Sequence, residues 1–286
     1  KLVVDYSHGI ASTIFPNILG NLNVQVVSLN AYLDSRKLTR TKEEFDESLR
    51  NLSYVVTSLK YEFGVMLDAG AEKIYVVDEY GVLIDSDRLL TLMTKYVAMT
   101  YPDLKKIAIP ISASAEIDIV AKEFNLEVIR TRDSHLALME AASHKDLRFV
   151  GGTKGGFIFN EFLFASDGMY SIAKLQEFIA KTGKHLGDLD RETARLHFVK
   201  KNLPCPWHMK GRVMRRLMEE TERMPRELLG GIKIFPADSP AFTSILLNPD
   251  QTRPMFHINA ESSDLAVATR LAKEFEEKVQ HFINQA

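Results

Sequence analysis

Cysteine is nearly absent from this chain of 286 residues. Cys205 is the one thiol, so no internal disulfide can brace the fold, and its flanking prolines leave it open to solvent exposure with nothing nearby to lower its pKa. Net charge is also close to absent. The 36 Lys and Arg against 38 Asp and Glu exclude the basic footprint of a nucleic-acid binder and give no membrane-attracting surface. No apolar run approaches the length of a membrane span, and there is no secretory leader, low-complexity tract or internal repeat. A soluble, cytoplasmic protein is the expectation. The opening Lys1-Leu2-Val3-Val4-Asp5 reads at once as a buried strand without an initiator methionine, as expected of a piece cut from a longer polypeptide.

What is present alternates between strand-like and helical periods, the pattern of an α/β protein with helix-covered sheets. Leu2–Tyr6 and Val24–Leu29 read as strands around a helix at Thr13–Leu22. Phe45, Leu49, Leu52, Val55, Val56 and Leu59 recur at helical spacing, and Val65–Leu67 and Ile74–Asp78 read as strands. Asp85-Ser86-Asp87 offers capping oxygens to a helix running toward Thr100, and Tyr101-Pro102 marks a boundary because the residue before proline leaves the helical region. A second α/β pass follows, with strands at Ile107–Ile109, Glu127–Arg130, Phe149-Val150 and Phe157–Phe159 and helices at Ala115–Phe124, His135–Ala142 and Met169–Lys181. The second boundary is placed near Arg195, before Leu203-Pro204-Cys205-Pro206-Trp207, whose prolines disfavour regular structure. The remainder reads as α+β: a helix at Arg212–Glu222, strands at Ile232–Phe235, Phe242–Leu247 and Met255–Ala260, and a closing helix at Leu265–Phe282. The expected domains are 1–101, 102–195 and 196–286.

Several segments together resemble the α-D-phosphohexomutases, the phosphomannomutase and phosphoglucomutase family. Lys1-Leu2-Val3-Val4-Asp5-Tyr6-Ser7-His8-Gly9 is similar to the family opening, Ile129–His135 to its Val-x-Thr-x-Val-Gly-His segment, and Phe159-x-x-Phe162 with Asp167-Gly168 to the run after the sugar-recognition loop. Their order corresponds to the family's second, third and fourth domains. The resemblance thus implies two consecutive α/β/α domains and a smaller α+β C-terminal domain. The phosphoserine that exchanges the phosphoryl group belongs to the family's first domain, which has no counterpart in this sequence.

Three loops depart from the family pattern. The family's Asp-Gly-Asp-Ala-Asp-Arg, whose aspartates hold Mg²⁺, corresponds to Asp68-Ala69-Gly70-Ala71-Glu72-Lys73. Octahedral Mg²⁺ needs several oxygen ligands, and Asp68 and Glu72 are two, so the favoured reading is a pair of solvated carboxylates beside Lys73. No cofactor is expected here, with Mg²⁺ the exception if the loop is still competent. Aligning Phe159 puts Gly152, Lys154 and Gly156 where the family carries sugar-gripping glutamate, serine and histidine. The favoured reading is a flexible turn, the alternative an anion held by Lys154. The family's phosphate clamp Arg-Pro-Ser-x-Thr-Glu-Pro reads Asn248-Pro249-Asp250-Gln251-Thr252-Arg253-Pro254. Asn248, Asp250, Thr252 and Arg253 are thus candidate sugar-phosphate contacts, in a loop that keeps its prolines and threonine while Asp250 repels a dianion. No residue is assigned a catalytic role: Ser7-His8 and Ser134-His135 are adjacent without a nucleophile-elbow setting, and the histidines lack metal-ligand spacing.

The leading expectation from the resemblance is a module without mutase activity of its own. It would serve a binding, regulatory or structural role behind a mannose-1-phosphate guanylyltransferase-like sugar-1-phosphate nucleotidylyltransferase. The alternatives are a divergent active phosphohexomutase and an oligomerisation scaffold. Expected partners are upstream domains of the same polypeptide, a hexose phosphate and further copies of the chain.

Overall fold

The computed structural model describes residues 1–285. The first sheet has the strand order β2-β1-β3-β4-β5, with β1 at Leu2–Asp5, β2 at Val26–Leu29, β3 at Phe63–Leu67, β4 at Ile74–Val77 and β5 at Leu83–Ile84. β1 runs parallel to β2 and β3, whereas β4 pairs antiparallel with β3 and with β5. Every residue of β1 and β3 is buried, which explains their unbroken apolar character. Helices α1 (Phe15–Asn21) and α2 (Lys42–Leu59) connect the parallel strands, and α3 (Ser86–Thr100) follows β5. α2 begins at a capping box in which Thr41 and Glu44 exchange hydrogen bonds, ends at Lys60 in the left-handed region, and buries Leu49, Leu52 and Val56 beside Val3 and Met66. Asp85 accepts from the Asp87 N–H at 3.0 Å, the cap expected there.

The second sheet has the order β7-β6-β8-β9, from β6 (Lys106–Pro110), β7 (Glu127–Thr131), β8 (Phe149–Gly151) and β9 (Phe157–Phe159). Its helices are α4 (Glu116–Glu123), α5 (His135–Ala142) and α6 (Gly168–Thr182), followed by α7 (Leu186–Glu192), which the sequence reading missed. The third sheet is antiparallel, ordered β10-β14-β13-β12-β11, with β10 at His197–Pro204, β11 at Arg226–Leu228, β12 at Ile232–Ile234, β13 at Ser244–Pro249 and β14 at Met255–Ser262. Helices α8 (Trp207–Glu220) and α9 (Leu265–Asn284) bury Val213, Leu217, Phe275 and Val279 with its strands.

The segment from Leu203 to Trp207 is regular, not irregular. Pro204 ends the edge strand β10, where a missing N–H costs little, and Pro206 sits at the cap of α8, which therefore starts at Trp207 instead of Arg212. Cys205 is buried in this core, and burial raises its thiol pKa, so the expectation of exposure is corrected.

The chain divides into two compact units. One comprises Lys1–Pro110, Ile119–Arg130 and Ser134–Thr193, and the other Ile111–Asp118, Thr131–Asp133 and the residues from Ala194 on. Within the second unit the buried Glu261 accepts from the Ala115 N–H at 2.9 Å and from the Ser114 hydroxyl, while Lys233 Nζ lies 3.3 Å from the Ile111 carbonyl oxygen. No described helix is long and apolar enough to cross a membrane.

Candidate functional site

In the first unit the loop between β3 and β4 is folded around Asp68. Its Oδ1 accepts from the backbone N–H of Glu72 at 2.8 Å and of Lys73 at 3.0 Å, and the Asp68 N–H donates to the Lys73 carbonyl at 3.1 Å. One oxygen of the candidate ligand is therefore already engaged by its own loop. At Gly70 a Cβ would meet the Glu72 Cγ at 3.7 Å and its Oε1 at 4.0 Å, so the longer Glu72 lies beside the place a residue-70 side chain would take. Among the described residues no group of three or more His, Cys, Asp or Glu is arranged to hold a metal ion. The donor set does not fit octahedral Mg²⁺ in the family manner.

The end of β1 packs beneath this loop. The buried Asp5 accepts from the Ser7 N–H at 2.8 Å and from Asn30 Nδ2 at 2.9 Å, holding Ser7 and His8 at φ of 53° and 55°. Ser7 donates its hydroxyl to the Leu67 carbonyl, and Gly9 approaches so closely that a Cβ would lie 2.7 Å from the Ala69 oxygen. Ser7 is thus structural, while the His8 ring packs edge-on to Tyr32 with the ring centres 4.6 Å apart. Burial, then Lys37 and Arg40, hold the His8 imidazole pKa below its ordinary value. Ser134 is equally structural, capping α5 by accepting from Ala137 N–H at 3.2 Å.

The glycine-rich turn joins the same loop. Gly152 N–H donates to the Gly156 carbonyl at 2.8 Å, closing the turn, and Ile74 N–H donates to the Gly155 carbonyl at 2.9 Å. Gly168 N–H donates to the Ala71 carbonyl at 2.7 Å, anchoring the start of α6 as well. Lys154 is exposed at the tip. The structure therefore brings Asp68, Glu72 and Lys154 onto neighbouring loops of one unit.

Asn248, Asp250, Thr252 and Arg253 lie in the second unit, on the β13–β14 hairpin. Asp250 Oδ1 accepts from the N–H groups of Thr252 at 2.7 Å and Arg253 at 2.9 Å and from the Thr252 hydroxyl at 3.1 Å; Oδ2 accepts from His257 Nε2 at 3.0 Å. These bonds, the Thr252 N–H foremost, hold its carboxyl well below the usual carboxylate range. Arg253 is exposed, with Nε 3.9 Å from Asp250 Oδ2. The Asn248 Oδ1 is buried without a protein partner. Sequence reasoning missed the supports of this hairpin. Lys210 Nζ donates to the carbonyls of Asp250 and Arg253 and lies 3.6 Å from the centre of the Trp207 ring, and His257 Nδ1 is 2.6 Å from Asn202 Oδ1. The available signal was a lysine three residues before Val213 and seven before Leu217, on the apolar stripe of α8.

Residues 1–81 match the family model of phosphoglucomutase/phosphomannomutase alpha/beta/alpha domain II, and residues 85–196 that of alpha/beta/alpha domain III. The chain belongs to the α-D-phosphohexomutase family. The chain is 28% identical over 288 residues to a "Probable phosphoglucosamine mutase" of Methanocella arvoryzae, covering 99% of itself and 63% of that relative. It is 27% identical over 280 residues to the phosphoglucosamine mutase of Methanococcus vannielii, covering 95% of itself and 61% of the relative. It thus spans less than two thirds of the length of these relatives. A phosphoglucomutase/phosphomannomutase family protein of Burkholderia thailandensis superposes with a TM-score of 0.83 at 18% identity, over 98% of this chain and 60% of that one. Paramecium pp63/parafusin, a phosphoglucomutase, superposes at 0.75 and 14% identity, over 99% and 58%. These two likenesses show the shared fold.

The expectation of a regulatory or structural module behind a nucleotidylyltransferase is corrected by these matches. Nearly the whole chain aligns with relatives named as phosphoglucosamine mutases, which favours the alternative, a divergent phosphohexomutase. The physical basis of that expectation was loss of individual side chains. The loops nonetheless keep defined, hydrogen-bonded backbone shapes.

Proposed function

We propose that this chain is the hexosamine-phosphate-handling part of a divergent phosphohexomutase. The observation that carries the reading is the hydrogen bond that ties the Gly152–Gly156 turn to Ile74, next to the Asp68–Lys73 loop, in a chain similar along nearly its whole length to phosphoglucosamine mutases. Lys73 and Lys154 supply cationic side chains on these loops, the counter-charge that an anionic sugar phosphate requires. Phosphoryl transfer depends on positioning and on neutralising the moving charge. The site is a thinned version of the family's, with two carboxylates at the cation loop and glycines at two sugar-gripping positions.

Titration calorimetry with glucosamine-1-phosphate and glucosamine-6-phosphate tests the reading. Dissociation constants of about 1 mM, near −4 kcal/mol, are expected, weakened several-fold by Lys154→Ala. Absence of binding to either sugar phosphate at about 10 mM, in folded protein, would overturn it.

A further inference from the structure

We infer that Asp250 is a tethered anion: its carboxylate fills the donor set that the β13–β14 hairpin would otherwise offer to a phosphate monoester, and so decides which ligands this loop accepts. The inference rests on the functional reading above only for the sugar attached to that phosphate. Two successive backbone N–H groups, the Thr252 hydroxyl and the His257 Nε2–H converge on one side chain at 2.7–3.1 Å, with the Arg253 guanidinium Nε at 3.9 Å. Adjacent N–H groups, a hydroxyl and cationic or polarised nitrogens are the donors that phosphate oxygens take. Here a carboxylate of the same chain takes them.

The hairpin does not depend on this carboxylate alone for its shape. Asp250 N–H donates to the Met255 carbonyl at 3.0 Å, Met255 N–H to the Arg253 carbonyl at 2.8 Å and Cys205 N–H to the Pro254 carbonyl at 2.8 Å. Lys210 holds the carbonyls of Asp250 and Arg253 from the other side. Removing the carboxylate leaves these exposed donors in position and paired with water, which an external anion can displace. While it is attached, a phosphate must compete with a group whose effective concentration is in the millimolar range or higher.

Inorganic phosphate titrated into the intact chain, Asp250→Ser and Asp250→Asn separates this from simple repulsion. Asparagine removes the charge but keeps a carbonyl oxygen that can accept from the Thr252 and Arg253 N–H groups. The expected result is a gain in phosphate affinity of about tenfold or more in Asp250→Ser and little gain in Asp250→Asn. Equal gains would mean charge repulsion without occupancy, and no gain in either would mean the hairpin is not an anion site; each overturns the inference. Amide hydrogen exchange of the unsubstituted chain is a second measurement that no folding defect can obscure. Thr252 and Arg253 N–H are expected to exchange more slowly than the exposed Gln251 N–H, and equal exchange would sink the idea. Glucosamine-6-phosphate run in parallel separates the two readings. Phosphate gained by Asp250→Ser without any sugar-phosphate binding leaves the tethered anion standing and removes the proposed function. Sugar-phosphate binding without a Ser-specific gain does the reverse.

Discussion

Single residues decide what the loops of this chain can hold. Gly70 has no positive φ, and a Cβ there meets its nearest neighbour at 3.7 Å, so the position accepts an aspartate without strain. Gly70→Asp with Glu72→Asp is therefore expected to fold and to bind Mg²⁺ stoichiometrically in a calorimetric titration, about tenfold or more tighter than the unsubstituted chain. Equal heats in the two proteins would show that the loop backbone, and not its carboxylate count, limits the ion. Asp68 shows why spacing alone misleads at this scale. The sequence marks it as a candidate ligand, but only the folded loop reveals that Oδ1 serves the N–H groups of Glu72 and Lys73.

At the scale of elements, turns that must pass close to a neighbour are the sensitive points. Gly155 has φ of 82°, and a Cβ there would lie 2.3 Å from the Ile74 carbonyl oxygen, at the join between the glycine turn and β4. Gly155→Ala should destabilise the chain by about 1–3 kcal/mol in urea unfolding and weaken glucosamine-phosphate binding with it. A neutral Gly155→Ala would show that the two loops are not held together as described. Gly211, by contrast, lies inside α8, where an added methyl would meet nothing within 4 Å, so Gly211→Ala should raise the urea midpoint by an amount equivalent to about 0.5–1 kcal/mol. The long amphipathic helices were legible because their apolar stripes and caps are local, as in α2 and α9. β10 was not, because a strand containing Pro204 is tolerated only through its place at a sheet edge.

At the scale of the whole molecule, the second compact unit draws on distant stretches of chain, and Glu261 ties two of them. Its buried carboxyl, bonded to Ser114 and Ala115, has a pKa raised by burial above the ordinary 4.5. Below that value both folded and unfolded states hold the proton, and the contribution to stability is complete. As pH rises toward the raised folded pKa the unfolded state releases its proton first, and stability falls. Urea midpoints of the intact chain should decline across this window, and Glu261→Gln should flatten the decline. An unchanged slope in the variant would assign the pH dependence elsewhere.

The sequence by itself determined the family, the α/β character and most helices, and it marked three loops as candidates for a site. These depend on local periodicity and on motif order, which survive without coordinates. Tertiary structure decided what the loop side chains are occupied with. Asp250 looked like a source of repulsion and proved to be the acceptor for Thr252, Arg253 and His257, while Cys205 looked exposed and proved buried. The physical reason is that hydrogen-bond partners and burial are set by groups brought together from distant positions, here Asn202, Lys210 and His257 around one hairpin, and sequence spacing carries no record of that convergence.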